Sequence, residues 1–574
     1  MNEVDVHFNV PENAKIKVTE KEELKIYSFD FSCDFEKSSK IYIEISWHFP
    51  AKKTHAFWYP FYSRSRNLAT DWGGEYKSMA NYAAPVGIFI DEKMNNIISF
   101  ALSDPLNLSK ITAGIKEEDS SLYFKIIVYP HIKNEKNYNS SLRIDTREIY
   151  YAESLEQIVC WWERAGYNVE RDYDRSLLPV YSTWYSFHQS LSLKGLLEEA
   201  KIAKELGMGS IFIDDGWHTS DNAKGYGYTG DWDPEVSKIA DKKSFTEELH
   251  ALNLNVLFWF AAPFIGIYSN SWRKLSNNIL YYKKGCDFAV LDFRKKENID
   301  YVVNKIMNVV KSYDLDGAKI DFIDRIIPED ENETNISEVA HSAVDFVENI
   351  YKAIRSFKED AIIEFRQNYN GPVMRKYCTA MRAFDCPQDY ITNRIRVTDL
   401  RLIAGKTPVH SDMLMWNSGD SMQNAAKQII NVLFSVPQVS AKLSELSPEM
   451  KKMLKFWLTF WNENKEILMH GQLRPENPEM AYPVISAVLN DSLIIVFHAP
   501  LLKVFNFNLY NKIKIINGSN NENILIENKG EKALYKMKAR DTIGDIIAER
   551  EYFIVKGLNK INVAPSGIIE LQKI

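Results

Sequence analysis

The sequence predicts an α/β chain built on a central (β/α)8 barrel of the TIM type, with a β-sandwich before it and a small β-sandwich after it. Three observations predict this. Short apolar runs recur between residues 175 and 445, amphipathic helical patterns lie between several of them, and the flanking stretches alternate with a period of two. No GxGxxG follows a predicted strand, which counts against a doubly wound dinucleotide-binding sheet.

Residues 1–150 are predicted to be all-β. Lys40–Trp47 alternates, Leu122–Tyr129 is rich in β-branched and aromatic residues, and Asn, Asp, Ser and Gly clusters punctuate them. Residues 151–174, holding Trp161 and Trp162, are predicted as a helical linker. The barrel is assigned to 175–475. Its predicted strands are Leu178–Thr183, Ser210–Ile213, Val256–Phe260, Ala318–Phe322, Ile362–Phe365, Met381–Phe384, Met413–Met415 and Val436–Ala441. One helical face between them is traced by Leu193, Leu196, Leu197, Ala200 and Ala203, and ends at Gly207. Others are traced by Val302, Ile306, Val309 and Val310, and by Val339, Ala343, Val347 and Ile350. This is the size and grammar of a (β/α)8 barrel. The apolar positions of Glu449–Leu468 predict a closing helix, and residues 476–574 return to strands such as Val484–Val488 and Leu493–Phe497, joined by a turn at Asn490-Asp491.

Composition narrows the function. A net charge of -7, with no long basic run, argues against nucleic-acid and anionic-membrane partners. The N-terminus shows no secretory signal, and no window approaches the roughly 20 apolar residues of a membrane span, so a cytoplasmic protein is expected. The 5 cysteines are scattered without a CxxC, as in a chain of reduced thiols with no zinc site. His188, His218 and His410 fall near strand ends without ligand spacing, so neither metal nor cofactor is expected.

A barrel's chemistry sits where strands end and βα loops begin. In Leu315–Arg325, Lys319 and Asp321 stand two apart and leave one face of a strand, with Ala318, Ile320 and Phe322 on the other. Such a pair also occurs as a plain structural ion pair. Here the neighbouring strand ends add Trp184, the run Asp214-Asp215-Gly216-Trp217, Trp259, Glu364, Arg382 with Asp385, and His410-Ser411-Asp412. Two carboxylates at opposed strand ends can cleave an acetal, one attacking and one protonating the departing oxygen. Asp321 suits the nucleophile because Lys319 favours its ionised form. Asp385 suits the acid/base, with Phe384, Cys386 and Pro387 expected to raise its pKa. Asp214 and Asp215 suit recognition of sugar hydroxyls.

These stretches resemble the α-galactosidase clan of glycoside hydrolases, families 36 and 27, across the barrel and in the three-domain plan. The matching residues are Trp184, Ile213–Trp217, Lys319-Ile320-Asp321, Glu364, Arg382–Asp385 and Ser411–Leu414. The resemblance implies a retaining, exo-acting α-galactosidase on small oligosaccharides. Asp321 would be the nucleophile and Asp385 the acid/base. Asp214, Asp215 and Lys319 would bind the sugar, with Trp184, Arg382 and Asp412 as further substrate contacts, to which the strand-end positions of Trp217, Trp259 and Glu364 add three more candidates. It also admits a homo-oligomer. The chain departs from the family pattern at Ala261-Ala262-Pro263, at Phe365–Gly371 and at Phe384–Asp389, where Asp389 is a second candidate acid. The rival readings are another α-hexosidase (of the α-N-acetylgalactosaminidase or α-glucosidase/α-xylosidase type), a raffinose-type transglycosylase, and a non-catalytic carbohydrate-binding protein.

Overall fold

Eight parallel strands form the barrel in this computed structural model. It describes residues 4–11, 14–21, 23–32, 42–61, 65–131, 137–169, 171, 173–239, 242–329 and 333–574. The barrel strands are β1 (Val180–Ser182), β2 (Ser210–Ile213), β3 (Asn255–Phe260), β4 (Gly317–Ile320), β5 (Ile362–Arg366), β6 (Ala380–Arg382), β7 (Val409–His410) and β8 (Gln438–Val439). Their spatial order is β7–β6–β5–β4–β3–β2–β1–β8. Single bridges, His410 to Val436 and Leu414 to Val439, join the two ends of this order.

The inward rows explain why the barrel is both packed and reactive. Val180, Phe212, Leu257 and Ile362 form one apolar cluster from four strands. Each row then continues at two-residue spacing, because alternate side chains share a face. On β5 it runs from Ile362 through Glu364 to Arg366, and on β4 from Gly317 through Lys319 to Asp321 just past the strand. Gly317 is required by close approach, since a Cβ there would lie 1.8 Å from the Ile362 carbonyl oxygen.

Two strand expectations need correction. The seventh strand is Val409–His410, not Met413–Met415; Leu414 makes only a single bridge. The apolar Met-Leu-Met run drew the prediction, whereas the ladder runs through a buried His410 whose ring is satisfied inside the barrel. The fourth strand stops at Ile320, and Phe322 turns into the left-handed region with φ 66. Its ring therefore leaves the strand and stacks on Phe264 with centroids 4.5 Å apart. Phe264 belongs to a three-stranded antiparallel excursion between β3 and β4 (Phe264–Gly266, Ile279–Tyr281, Phe288–Leu291), which the simple βα alternation does not predict.

Before the barrel lie a five-stranded and a six-stranded sheet. Ile43–Pro50 pairs antiparallel with Ser121–Tyr129, and Trp47 stacks on Phe124 at 4.7 Å in the core between the sheets. The predicted strand Lys40–Trp47 begins on Lys40 and Ile41, which lie outside the described residues, as does Cys33. The helix Tyr151–Trp162 runs into a π-helical turn, Glu163–Tyr167, and buries Trp162, whose Nε1 donates to the Leu102 carbonyl at 2.7 Å. After the barrel, the helix Pro448–His470 is capped by the Ser447 hydroxyl and buries Met453, Trp457 and Trp461. A seven-stranded and a three-stranded sheet then complete the chain. No helix among the described residues is long and apolar enough to cross a membrane.

Candidate active site

The inner rows of the barrel end on charged groups, and these meet at the carboxyl ends of the strands. Past β2, Gly216 turns the chain with φ 110, and a Cβ there would strike Gln189 Cα at 2.5 Å. The turn sets Asp214 and Asp215 side by side. Asp214 Oδ2 accepts from Lys319 Nζ at 2.6 Å, and its Oδ1 accepts from the Asp215 N–H at 2.9 Å. Burial pushes the Asp214 carboxyl up, and Lys319 only partly offsets this. Asp215 Oδ2 accepts from Gln189 Nε2 at 2.8 Å, and its Oδ1 lies 3.1 Å from His218 Nε2.

Asp321 is the most firmly ionised carboxylate here. Burial raises its pKa, but Arg366, Lys319 and Arg382 outweigh that and bring it down to about 2. Oδ1 accepts from Arg366 Nε and from the Phe322 N–H at 2.7 Å, while Oδ2 accepts from Trp259 Nε1 at 3.0 Å. The expected partner Lys319 thus contributes at longer range and bonds Asp214 instead. Arg366 takes its place. It stands two residues beyond Glu364 on one strand, so the same two-residue rule that singled out Lys319 and Asp321 would have found it. Its guanidinium lies over Phe384 at 4.7 Å and Phe322 at 5.0 Å.

Asp385 sits beyond β6 and is the most open of these carboxylates, its side chain 45% exposed. Arg382 Nη1 donates to its Oδ1 at 2.8 Å. The expected upward pKa shift is not what the structure shows. Burial acts upward, but Arg382 and Arg366 outweigh it and hold the carboxyl below its ordinary range. Phe384 was expected to supply an apolar surrounding; it instead lies beneath two cations, Arg366 and Arg396. Arg396 Nη1 also donates to the Phe384 and Asp385 carbonyls, at 2.9 and 2.8 Å, and so fixes the loop. Asp389 accepts from the Thr392 N–H at 3.0 Å as the N-cap of helix Tyr390–Ile403, which accounts for it without a role as acid.

Three of the predicted substrate contacts are sealed in this structure. Trp217 has no exposed surface; its Nε1 donates to the Trp259 carbonyl at 2.9 Å, and it packs among Trp232, Phe258 and Phe260. Glu364, also fully buried, accepts from Gln438 Nε2 and lies 2.7 Å from His410 Nδ1 and 3.6 Å from Arg382 Nε. Asp412 is equally enclosed and accepts from Arg382 and Tyr185. Each is enclosed by neighbouring side chains. Carboxylates on barrel strands look alike in a sequence whether they face the opening or the layer beneath it. Trp184, half-buried, stands at the rim edge-on to His188 at 4.9 Å. Tyr226, edge-on to Phe322 at 5.2 Å, and Tyr185 join the site without having been singled out in the sequence, since one lies on a loop and the other in the single helical turn Trp184–Phe187, both too short for a periodic signal. Among the described residues, no group of three or more His, Cys, Asp or Glu side chains is arranged to hold a metal ion.

This architecture matches known proteins. The Melibiase family model matches residues 168–367. Among characterised relatives, α-galactosidase 2 of Pediococcus pentosaceus is 22% identical over 182 residues, and α-galactosidase AgaA of Geobacillus stearothermophilus is 24% identical over 159. These alignments cover 29% and 26% of this chain but only 25% and 21% of the relatives' lengths. Solved structures align over much more. A single-residue variant of G. stearothermophilus AgaA in complex with 1-deoxygalactonojirimycin superposes with a TM-score of 0.66 at 12% identity, over 98% of this chain and 82% of that one. A variant of AgaA bound to raffinose gives 0.65 at 12% identity, over 98% and 81%. The α-galactosidase of Lactobacillus brevis gives 0.66 at 12% identity, over 98% and 80%. The chain shares the fold of these α-galactosidases, and its residues 168–367 match the Melibiase family model.

Proposed function

We propose that the protein is a retaining α-galactosidase that removes terminal α-galactosyl groups from small oligosaccharides of the raffinose type. The observation that carries this reading is the paired aspartates. Asp321 is held ionised near the strand ends by Trp259, the Phe322 N–H and Arg366, and within its electrostatic reach lies a partly open Asp385 bound to Arg382. The relatives' activities and the raffinose complex of AgaA support the choice of sugar.

In the proposed reaction an Asp321 oxygen bonds to the anomeric carbon while the glycosidic C–O bond breaks, and the departing oxygen takes the Asp385 proton. Water then attacks the same carbon, gives its proton to Asp385, and the ester to Asp321 is released. The charges of the site favour this change of role. While Asp321 is ionised it pushes the Asp385 carboxyl up, and a bound sugar adds burial in the same direction. Once Asp321 is esterified that repulsion is gone, so Asp385 loses its proton more easily and can act as a base. The Asp214–Lys319 pair and Asp215 supply the buried polar partners that would select hydroxyls.

The test is hydrolysis of p-nitrophenyl α-D-galactoside, with the α-glucoside, α-xyloside and α-N-acetylgalactosaminide alongside, followed by NMR of the first-formed sugar. α-Galactose as first product supports the reading. β-Galactose would exclude double displacement, and preferred cleavage of another glycoside would remove the galactose assignment.

A further inference from the structure

The enclosed Asp412 is coordinated in a way that a sugar contact does not require. Its Oδ1 accepts at 2.7 Å from Arg382 Nη1, the nitrogen that also donates to Asp385 Oδ1 at 2.8 Å. Its Oδ2 accepts from the Cys386 N–H at 2.6 Å and from the Tyr185 hydroxyl at 3.0 Å. The Asn393 side chain grips its backbone from both sides, accepting from the Asp412 N–H at 3.0 Å and donating to its carbonyl at 3.1 Å. One buried carboxylate thus holds Arg382, which bonds the proposed acid directly, and the residue after the acid, through the Cys386 N–H.

We propose that Asp412 is the positioning residue of Asp385, fixing the acid's loop and countering the pull of Arg382 on its proton. This rests on the assignment of Asp385 as acid/base. A single guanidinium nitrogen serves two carboxylates, so neither receives the full benefit of its charge. Around Asp412 stand Arg382, Asp385, Glu364 by way of Arg382, and the Tyr185 and Cys386 side chains. Around Asp385 stand Arg382, Arg366 and Asp321, with Tyr226 within reach. Were Asp412 neutral, one carboxylate fewer would compete for Arg382, leaving Glu364 and Asp321, and the acid would lose its proton at lower pH. Burial first, and then Asp385, push the Asp412 carboxyl up to about 6, as expected of two acids competing for one cation.

Leaving groups separate this from a general structural role. Departure of p-nitrophenoxide needs little protonation, whereas departure of glucose from melibiose needs the acid. In Asp412→Asn, kcat/KM on melibiose is expected to fall about 100-fold, the low end of what general acid catalysis contributes. On p-nitrophenyl α-D-galactoside the loss should be roughly tenfold smaller than that. The high-pH limb on melibiose should move down by about one unit. Tyr185→Phe, which removes one donor to Asp412 and keeps the ring, should shift both quantities in the same direction but less. Equal losses on the two substrates with an unmoved limb would overturn the proposal. Should Asp412→Asn fail to fold, an unaltered substrate ratio and limb in Tyr185→Phe decide against it. A wild type inert on both galactosides sinks the glycosidase reading, and this proposal with it; an active wild type whose variants lose both substrates alike sinks this proposal alone.

Discussion

Two of the arginine–carboxylate clusters inside this molecule differ in how completely their charges are matched. The first joins the three parts of the chain. Asp399, on helix Tyr390–Ile403, accepts from Trp58 Nε1 at 2.8 Å, from the Tyr482 hydroxyl and from Arg66. These four come from the first β-domain, a barrel helix and the segment after the closing helix, and all are buried. One acid meets one cation and two neutral donors. The second cluster, at the barrel opening, crowds Asp214, Asp321, Asp324, Asp385, Glu364 and Asp412 around Lys319, Arg366 and Arg382. There the acids outnumber the cations, so their pKa values are driven apart: Asp321 falls to about 2 while Asp412 rises to about 6. A matched cluster stabilises; a mismatched one sets up groups that can exchange protons and attack.

The contrast is sharpest in Asp321→Ala. Turnover of an α-galactoside should drop by at least about three orders of magnitude, as for other lost nucleophiles, while urea unfolding shifts less than in the Asp399 variant below. Exogenous azide should leave this variant's product anomer changed if Asp321 is the attacking group. A variant that keeps near-normal kcat/KM would dissolve the functional half of the comparison.

Asp399→Ala should reverse the pattern. Deleting one member of a buried ion pair leaves Arg66 uncompensated and costs about 3–5 kcal/mol, read as a lower urea midpoint. Activity per folded molecule should stay within a few-fold of wild type. Loss of activity at unchanged stability would show that the Asp399 cluster belongs to the chemistry after all.

A smaller effect follows from pH. The Asp412 carboxyl is raised in the folded protein, so its stabilising contribution is complete below the ordinary carboxylate range and is lost as pH rises through about 6. Asp412→Asn should therefore gain stability relative to wild type between pH 4 and pH 7, by on the order of 2 kcal/mol. Asp321 runs the other way. Its lowered carboxyl contributes stability that is present at neutral pH and lost as pH falls from the ordinary range to about 2. Equal unfolding profiles for Asp412→Asn and wild type across pH 4–7 would contradict the mismatch.

How much of this was legible in the sequence depended on periodicity. The inner rows of β4 and β5 follow a two-residue rule, so Lys319 and Asp321 stood out, and Glu364 with Arg366 could have. Seven of the eight barrel strands and the closing helix were visible for the same reason, because apolar spacing reports burial, whereas the same signal misplaced the seventh strand. Depth was not visible. Asp412, Glu364 and Trp217 have the residue types of a binding site, and only packing shows them fully enclosed. The Asp399 cluster was invisible for another reason. Its members are separated by up to 424 positions, and no local pattern links Trp58 to Tyr482.

The two clusters meet in one helix, and that gives the mildest test. Asp389 caps the start of Tyr390–Ile403, Arg396 within it holds the Asp385 carbonyl, and Asp399 near its end anchors the other domains. Asp389→Ala removes the cap and should cost about 1 kcal/mol in unfolding free energy. If the helix is rigidly held from the Asp399 end, that loss stays at the first turn, and the pH dependence of kcat/KM is unchanged. If the cap also tensions the acid/base loop, the high-pH limb moves along with the stability. The second result would join the matched and mismatched clusters into one mechanical unit; the first leaves them as neighbours on a common helix, one holding the fold and the other free to react.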